Sequence, residues 1–224
     1  FSPDGRTIVY ERTEGGYLTA ARGSENPGIW RIPTSGGTAQ RIVKNGGEPQ
    51  FGAANDRVFV IGSAAGKRQL VSYDLNGEAK RVHATGDLIN DFAVSPDGKF
   101  FAFRQNYQAF VMPLLPGTQD VATDPKGGPM PVTRVSGDGA DFIHWSNGGQ
   151  QVHWSLGPTL YTAQTNALFP SAPPGENAAK FVAPTSGVSL SMTVNADKPS
   201  GTVALTNAKI VTMANAVGGI IDNG

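Results

Sequence analysis

The 224-residue chain contains no cysteine and only three histidines, His83, His144 and His153. Without thiols it forms no disulfide and no thiolate metal site, a composition that suits an exported or a cytosolic protein equally. The histidines show neither His-x-His nor His-x3-His spacing, so no imidazole chelate is written into consecutive residues. Charge of one sign is also missing. Eighteen Lys and Arg balance eighteen Asp and Glu, with no basic run, which removes the electrostatic footprint expected of a nucleic-acid or anionic-membrane binder. No apolar run approaches the roughly 18 residues needed to cross a bilayer as a helix, and the 3.6-residue period of amphipathic helices is nearly absent. Two motifs are lacking as well. There is no Gly-x4-Gly-Lys-Ser/Thr loop to cradle phosphate and no Gly-x-Ser-x-Gly nucleophile elbow. The nearest approach to the elbow, Gly187-Val188-Ser189-Leu190-Ser191, has no closing glycine and lies in an alternating segment.

What the chain has is a repeat. Phe1-Ser2-Pro3-Asp4-Gly5 leads into Ile8-Val9-Tyr10, and Val94-Ser95-Pro96-Asp97-Gly98 leads into Phe101-Ala102-Phe103. Trp145-Ser146-Asn147-Gly148-Gly149 before Val152-His153-Trp154 is a third copy. Phe51-Gly52 with Asn55-Asp56 before Val58-Phe59-Val60 is a worn fourth. The corner positions 2, 52, 95 and 146 are spaced by 50, 43 and 51 residues. In each corner Ser opens a turn, Pro supplies a preset φ, and Asp-Gly tolerates unusual backbone angles. Apolar runs such as residues 100–103 are too continuous for a strand with one wet face and fit strands covered on both sides. A second hairpin follows: Gly28 to Ile32, Gly36-Gly37, then Ala39 to Val43; and Gln69 to Tyr73, Asn76-Gly77, then Ala79 to Val82. Strand-rich units of this length are propeller blades of four strands. The 29 glycines and 16 prolines fit a turn-dense, all-β chain.

Candidate functional residues can be weighed against that frame. His144 and His153 flank one corner, with Asp141 the nearest carboxylate; single histidines beside aromatic strand residues are ordinarily packing or rim residues. The pieces 87–91, with Asp87 and Asp91, and Gly137-Asp138-Gly139-Ala140-Asp141 have oxygen ligands suited to calcium. The same residues make turns, and no twelve-residue EF-hand pattern is present. Trp30, Trp145, Trp154, Tyr107 and Tyr161 lie within or beside strand segments, which favours packing between blades over a recognition patch. The excursion 113–131, interrupting the third blade, exceeds the usual loop length and is the better interaction candidate. No catalytic, cofactor-binding or metal-ligating residue is assigned to this chain.

The corners resemble the WD40-like propeller repeats of periplasmic TolB-type proteins and of propellers attached to peptidases. Ala204-Leu205-Thr206-Asn207-Ala208-Lys209-Ile210-Val211-Thr212-Met213, with Gly219-Ile220-Ile221-Asp222-Asn223-Gly224, resembles the phrase that opens the small β-sandwich of metal-dependent amidohydrolases. The expected fold is therefore all-β: a partial or small propeller of about four four-stranded blades over 1–167, a linker or last-blade connector over 168–187, and a closing strand plus the start of the sandwich over 188–224. The first and last phrases look cut, as in an internal fragment. The resemblance implies a parent that hydrolyses C–N bonds of small or peptide amides with zinc or a similar divalent metal in a downstream barrel, this chain acting as scaffold or substrate gate. It also implies a periplasmic or secreted location. The alternative is a non-enzymatic propeller that binds a protein, peptide or small ligand. Expected partners are the remaining amidohydrolase polypeptide or further copies of the chain, because end blades would expose apolar faces.

Overall fold

The computed structural model describes residues 1–13, 26–117, 121–123, 130–170, 179–198, 200–213 and 219–222. The chain divides into two compact units, Phe1–Ser191 and Met192–Gly224.

The first unit is a partial β-propeller of four antiparallel blades. Blade I holds β1 (Thr7–Arg12), β2 (Gly28–Pro33) and β3 (Gln40–Val43). Blade II holds β4 (Gly47–Phe51), β5 (Arg57–Ala64), β6 (Lys67–Asp74) and β7 (Arg81–Gly86). Blade III begins with β8 (Ile89–Val94), β9 (Phe100–Gln105) and β10 (Gln108–Pro113). The excursion then contributes β11 (Val121–Ala122), which pairs in parallel with β7 at the outer edge of blade II. The chain returns to blade III as β12 (Thr133–Arg134). Blade IV holds β13 (Asp141–Ser146), β14 (Gln151–Leu156), β15 (Thr159–Gln164) and β16 (Val188–Ser189). Four strands were expected in every copy; the first sheet has three, ordered β1-β2-β3, and β1 stands at its edge.

The corners are built alike. Ser95 Oγ donates to Asp97 Oδ1 at 2.6 Å and accepts from the Phe100 N–H at 2.9 Å, while Asp97 Oδ1 accepts from the Lys99 N–H at 3.1 Å. Ser2, Asp4, Arg6 and Thr7 repeat this pattern at 2.6, 2.9 and 3.0 Å. Both aspartates are held below the usual carboxylate range. For Asp4 the leading cause is the Ser2 hydrogen bond. For Asp97 partial burial pushes upward and is outweighed by the bonds from Ser95 and Lys99. Ser95→Ala strands the Phe100 N–H and loosens Asp97, so a loss of about 1–2 kcal/mol is expected, read as a lowered urea midpoint at unchanged slope.

Packing follows the continuous apolar runs. Phe101, Ala102 and Phe103 are fully buried because successive side chains point to opposite faces and blades II and IV cover both. The blade III–IV interface gathers Val111, Val152, Trp154 and Ala163, with Trp154 stacked on Tyr161 at 5.8 Å. It continues past the last hairpin, since Leu168 is buried and Phe169 stacks on Phe100 at 5.6 Å. The last blade does not present the apolar outer face expected of it. Register places His144, His153 and Thr162 in one cross-strand row and Ser146, Gln151 and Gln164 in the next, on the face opposite Trp145 and Val152. That face is polar and hydrogen-bonded.

The alternating stretch 188–194 differs from the half-buried strand expected. Only Val188 and Ser189 pair, with Leu160 and Thr159, and Val188, Leu190, Met192 and Val194 are all exposed. In the second unit β17 (Ile210–Val211) and β18 (Ile220–Ile221) form an antiparallel pair, tied further by Lys209 and Asp222 at 3.2 Å.

Candidate functional site at the inner strands

The strand that runs into each corner, β4, β8 or β13, is the inner strand of its blade. All three carry a β-bulge: between Gly47 and Gln50, between Ile89 and Asp91, and between Asp141 and His144. A bulge inserts a residue and re-aims its neighbours. Glu48 and Phe142 accordingly adopt φ of +50° and +52°. Counting back four residues from corner positions 52, 95 and 146 gives Glu48, Asp91 and Phe142; counting back two gives Gln50, Ala93 and His144. These six residues line one cavity of 580 Å³ across the three inner strands.

The layers do different things. Gln50 acts as a clamp: its Nε2 donates to Phe92 O and its Oε1 accepts from the Val94 N–H, both at 2.7 Å. Trp145 Nε1 donates to Ala93 O at 2.9 Å and joins blade IV to blade III in the same way. The outer layer carries the charge. Glu11 Oε2 accepts from the Glu48 N–H at 3.0 Å and fixes the bulge. Burial, then the charge and hydrogen bond of Asp91, then the charge of Glu11 raise the Glu48 carboxyl, with Arg68 acting the other way. Two carboxyls placed this close repel each other when ionised, and a cation bound between them relieves that repulsion. Phe142, 82% exposed, adds an apolar wall at the rim.

The residues proposed from sequence are placed otherwise. His144 and His153 do meet, their rings stacked at 4.9 Å. However, His153 has both ring nitrogens engaged, Nε2 with Ser146 Oγ at 2.6 Å and Nδ1 with Thr162 Oγ1 at 2.8 Å. His144 Nδ1 faces Phe142 O at 3.1 Å, and Asp141 pairs with Arg104. This set does not fit a metal ion, and among the described residues no three His, Cys, Asp or Glu converge as ligands. In the loop 137–141 the carbonyls of Gly137 and Asp138 already accept from Arg134 and Gln108. Asp87 pairs with Lys67 at 3.2 Å. Ser189 sits in exposed β16, where its Oγ accepts from the Ser191 N–H at 3.3 Å. Of the aromatics, Trp154 is buried, Trp145 and Tyr161 pack against the same cluster, and Trp30 lies under the Arg12 guanidinium at 3.8 Å. Tyr107 alone is largely exposed, at the β9–β10 turn. Residues 121–123 of the excursion lie on blade II: the Thr123 N–H donates to Thr85 O at 3.2 Å and Thr123 is buried. Residues 118–120 and 124–129 of it lie outside the described residues. Sequence reading missed Glu48, which sits in the worn copy; counting back from the corners would have found it.

No protein-family profile matches the sequence, and no curated protein matches it. Solved structures do. TolB from Acinetobacter baumannii superposes with a TM-score of 0.52 at 19% identity, over 74% of this chain and 40% of that one. A nidogen/laminin complex matches at 0.46 and 11% identity, over 73% and 57%. Kuenenia stuttgartiensis hydrazine synthase matches at 0.47 and 13%, over 73% and 57%. The chain thus spans about two fifths of the TolB chain's length. The TolB likeness shows the fold, a partial β-propeller. No helix among the described residues is long and apolar enough to cross a membrane.

Proposed function

We propose that the chain is part of a non-enzymatic, TolB-like binding propeller that receives a positively charged group of a peptide or protein partner at the mouth of its inner strands. The observation that carries this reading is the pairing of Glu48 with Asp91 at equivalent positions of adjacent blades, in a cavity shared with Gln50, Phe142 and His144. A primary ammonium entering there meets carboxylates on two blades and an aromatic edge, and favours the ionised form of Glu48. Its binding weakens on acidification, because Glu48, with its raised pKa, takes up its proton as pH falls. The test uses tetralysine as probe in titration calorimetry at pH 7.5 and 5.0. Binding about tenfold weaker at pH 5.0, and about tenfold weaker in a Glu48→Gln/Asp91→Asn variant at pH 7.5, is expected. Equal affinity of variant and wild type defeats the reading. A periplasmic or secreted location accords with this role and is checked by cell fractionation.

A second reading has its own support in the β17–β18 pair, formed by the stretch that resembles the opening of an amidohydrolase sandwich. In it the propeller gates substrate for a C–N hydrolase whose divalent metal is held by residues outside this chain. Reading the gene onward for a His-x-His pair, with metal analysis of the full-length product, decides between the two.

A further inference from the structure

The end of the propeller opposite the corners breaks two local rules at three places. Leu88 lies between β7 and β8, Tyr107 in the β9–β10 turn, and Phe142 in the β13 bulge. Their φ values are +54°, +65° and +52°, and all three side chains are largely exposed. A bulky residue on left-handed backbone is strained, and a large apolar side chain left in water gains nothing from burial. The turn itself does not require them. In blade II the equivalent turn, between Ala64 and Lys67, is Ala65-Gly66, so glycine stands where blade III has Tyr107. Strain without a gain in packing marks positions held for contact with something else.

The three belong to one surface. Gln105 Nε2 donates to Asp87 O at 2.8 Å and the Asn106 N–H donates to Leu88 O at 3.4 Å, which ties the β9–β10 turn to the loop before β8. On the other side Gln108 Nε2 donates to Asp138 O at 2.9 Å, and Tyr107 O accepts from the Ala140 N–H at 2.8 Å. Ala140 leads through Asp141 into Phe142, a wall of the cavity that holds Glu48 and Asp91. The rim is therefore set before a partner arrives, and little ordering is lost on binding. Its charge selects the partner. Lys67 and Arg104 at this end are paired with Asp87 and Asp141, whereas Asp138 has no ion pair among the described residues. With Glu48 and Asp91 it leaves acid to face whatever binds.

We propose that this end binds an amphipathic basic segment of a protein partner, with a lysine at Glu48 and Asp91 and the apolar residues beside that lysine on Phe142, Tyr107 and Leu88. The inference rests on the acidic pair as a cation site and adds what must flank the cation. The apolar rim supplies affinity, and the carboxylates fix which partner binds and in what orientation.

Three capped peptides are compared by titration calorimetry at pH 7.5: Leu-Lys-Leu-Lys-Leu, its neutral counterpart Leu-Gln-Leu-Gln-Leu, and tetralysine. Wild type is expected to bind the first about tenfold more tightly than either of the others. Leu88→Asn/Tyr107→Gly puts residues that accept left-handed backbone at both positions. Its urea midpoint stays level or rises, while it binds Leu-Lys-Leu-Lys-Leu about tenfold more weakly and tetralysine as before. A fall in stability would mean that Leu88 and Tyr107 serve the fold, and overturns the inference. So does undiminished binding of Leu-Lys-Leu-Lys-Leu by this variant; if Glu48→Gln/Asp91→Asn still loses tetralysine, the acidic pair stands and only the apolar rim is lost. Leu-Gln-Leu-Gln-Leu bound as tightly as the lysine peptide defeats the acidic pair, and the basic partner with it. Light scattering covers the remaining occupant: a wild type that dimerises, beside a Leu88→Asn/Tyr107→Gly variant that does not, would seat a second copy on the rim and overturn the proposal.

Discussion

Gly77→Ala is expected to lower stability by about 3 kcal/mol, moving the urea midpoint by about 1 M, whereas Gly36→Ala costs about 1 kcal/mol. The two glycines close equivalent turns. Gly36 N–H donates to Pro33 O at 3.0 Å in blade I, and Gly77 N–H donates to Asp74 O at 3.1 Å in blade II. Their φ values are +88° and +83°, so both substitutions carry the same left-handed strain. Their surroundings differ. A Cβ on Gly36 meets open space, while one on Gly77 would lie 1.9 Å from the Ile42 carbonyl oxygen of blade I, a backbone atom with no rotamer to yield. The difference between the variants therefore reports how tightly blade I seats on blade II. Equal losses in the two variants would mean that the turn alone, and no inter-blade approach, requires glycine at 77.

That contrast also shows what can be read from sequence. Asn76-Gly77 marks a turn by local chemistry alone, and so do Ser95 and Asp97, whose side chains bond within five residues of themselves. Blade boundaries, strand order and the buried aromatic runs follow from such signals. The contact of Gly77 with Ile42 depends on a neighbour 35 residues away and leaves no local mark. The same holds for β11, a two-residue parallel pairing that crosses from blade III to blade II, and for the tight fit of Gly86 against Thr123 that it creates. The bond between Glu48 and Asp91 is of this kind too. Sequence spacing rightly brought His144 and His153 into one blade. It could not show that Ser146 and Thr162 would occupy the His153 ring, nor that Arg104 would take Asp141.

His83 gives the second large effect, because it is buried without an acid. Desolvation, then the charges of Arg57 and Arg81, lower its pKa to about 4 from an ordinary 6.5. Arg57 Nη1 donates to Ser72 Oγ at 3.0 Å, so the Ser72 hydroxyl proton is free to bond His83 Nε2 at 2.7 Å, which keeps that nitrogen an acceptor and the ring neutral. Nδ1 is buried with no hydrogen-bond partner among the described residues. Above pH 6.5 both folded and unfolded chains hold the ring neutral, and His83 has no effect on pH dependence. Between pH 6.5 and 4 the unfolded chain binds the proton and the folded one resists it, so stability falls with pH, by about 3 kcal/mol in all. Asp4 and Asp97, held below the usual carboxylate range, withdraw their share only at lower pH. Glu48, with its raised carboxyl, acts with the opposite sign and offsets part of the fall. The effect of His83 is isolated by difference. Urea unfolding at pH 7.5, 5.0 and 4.0 is expected to show wild type losing about 3 kcal/mol more than His83→Gln over that interval. Parallel losses in the two proteins would mean that the ring is solvated when charged, and that Ser72 and the two arginines do not hold it neutral.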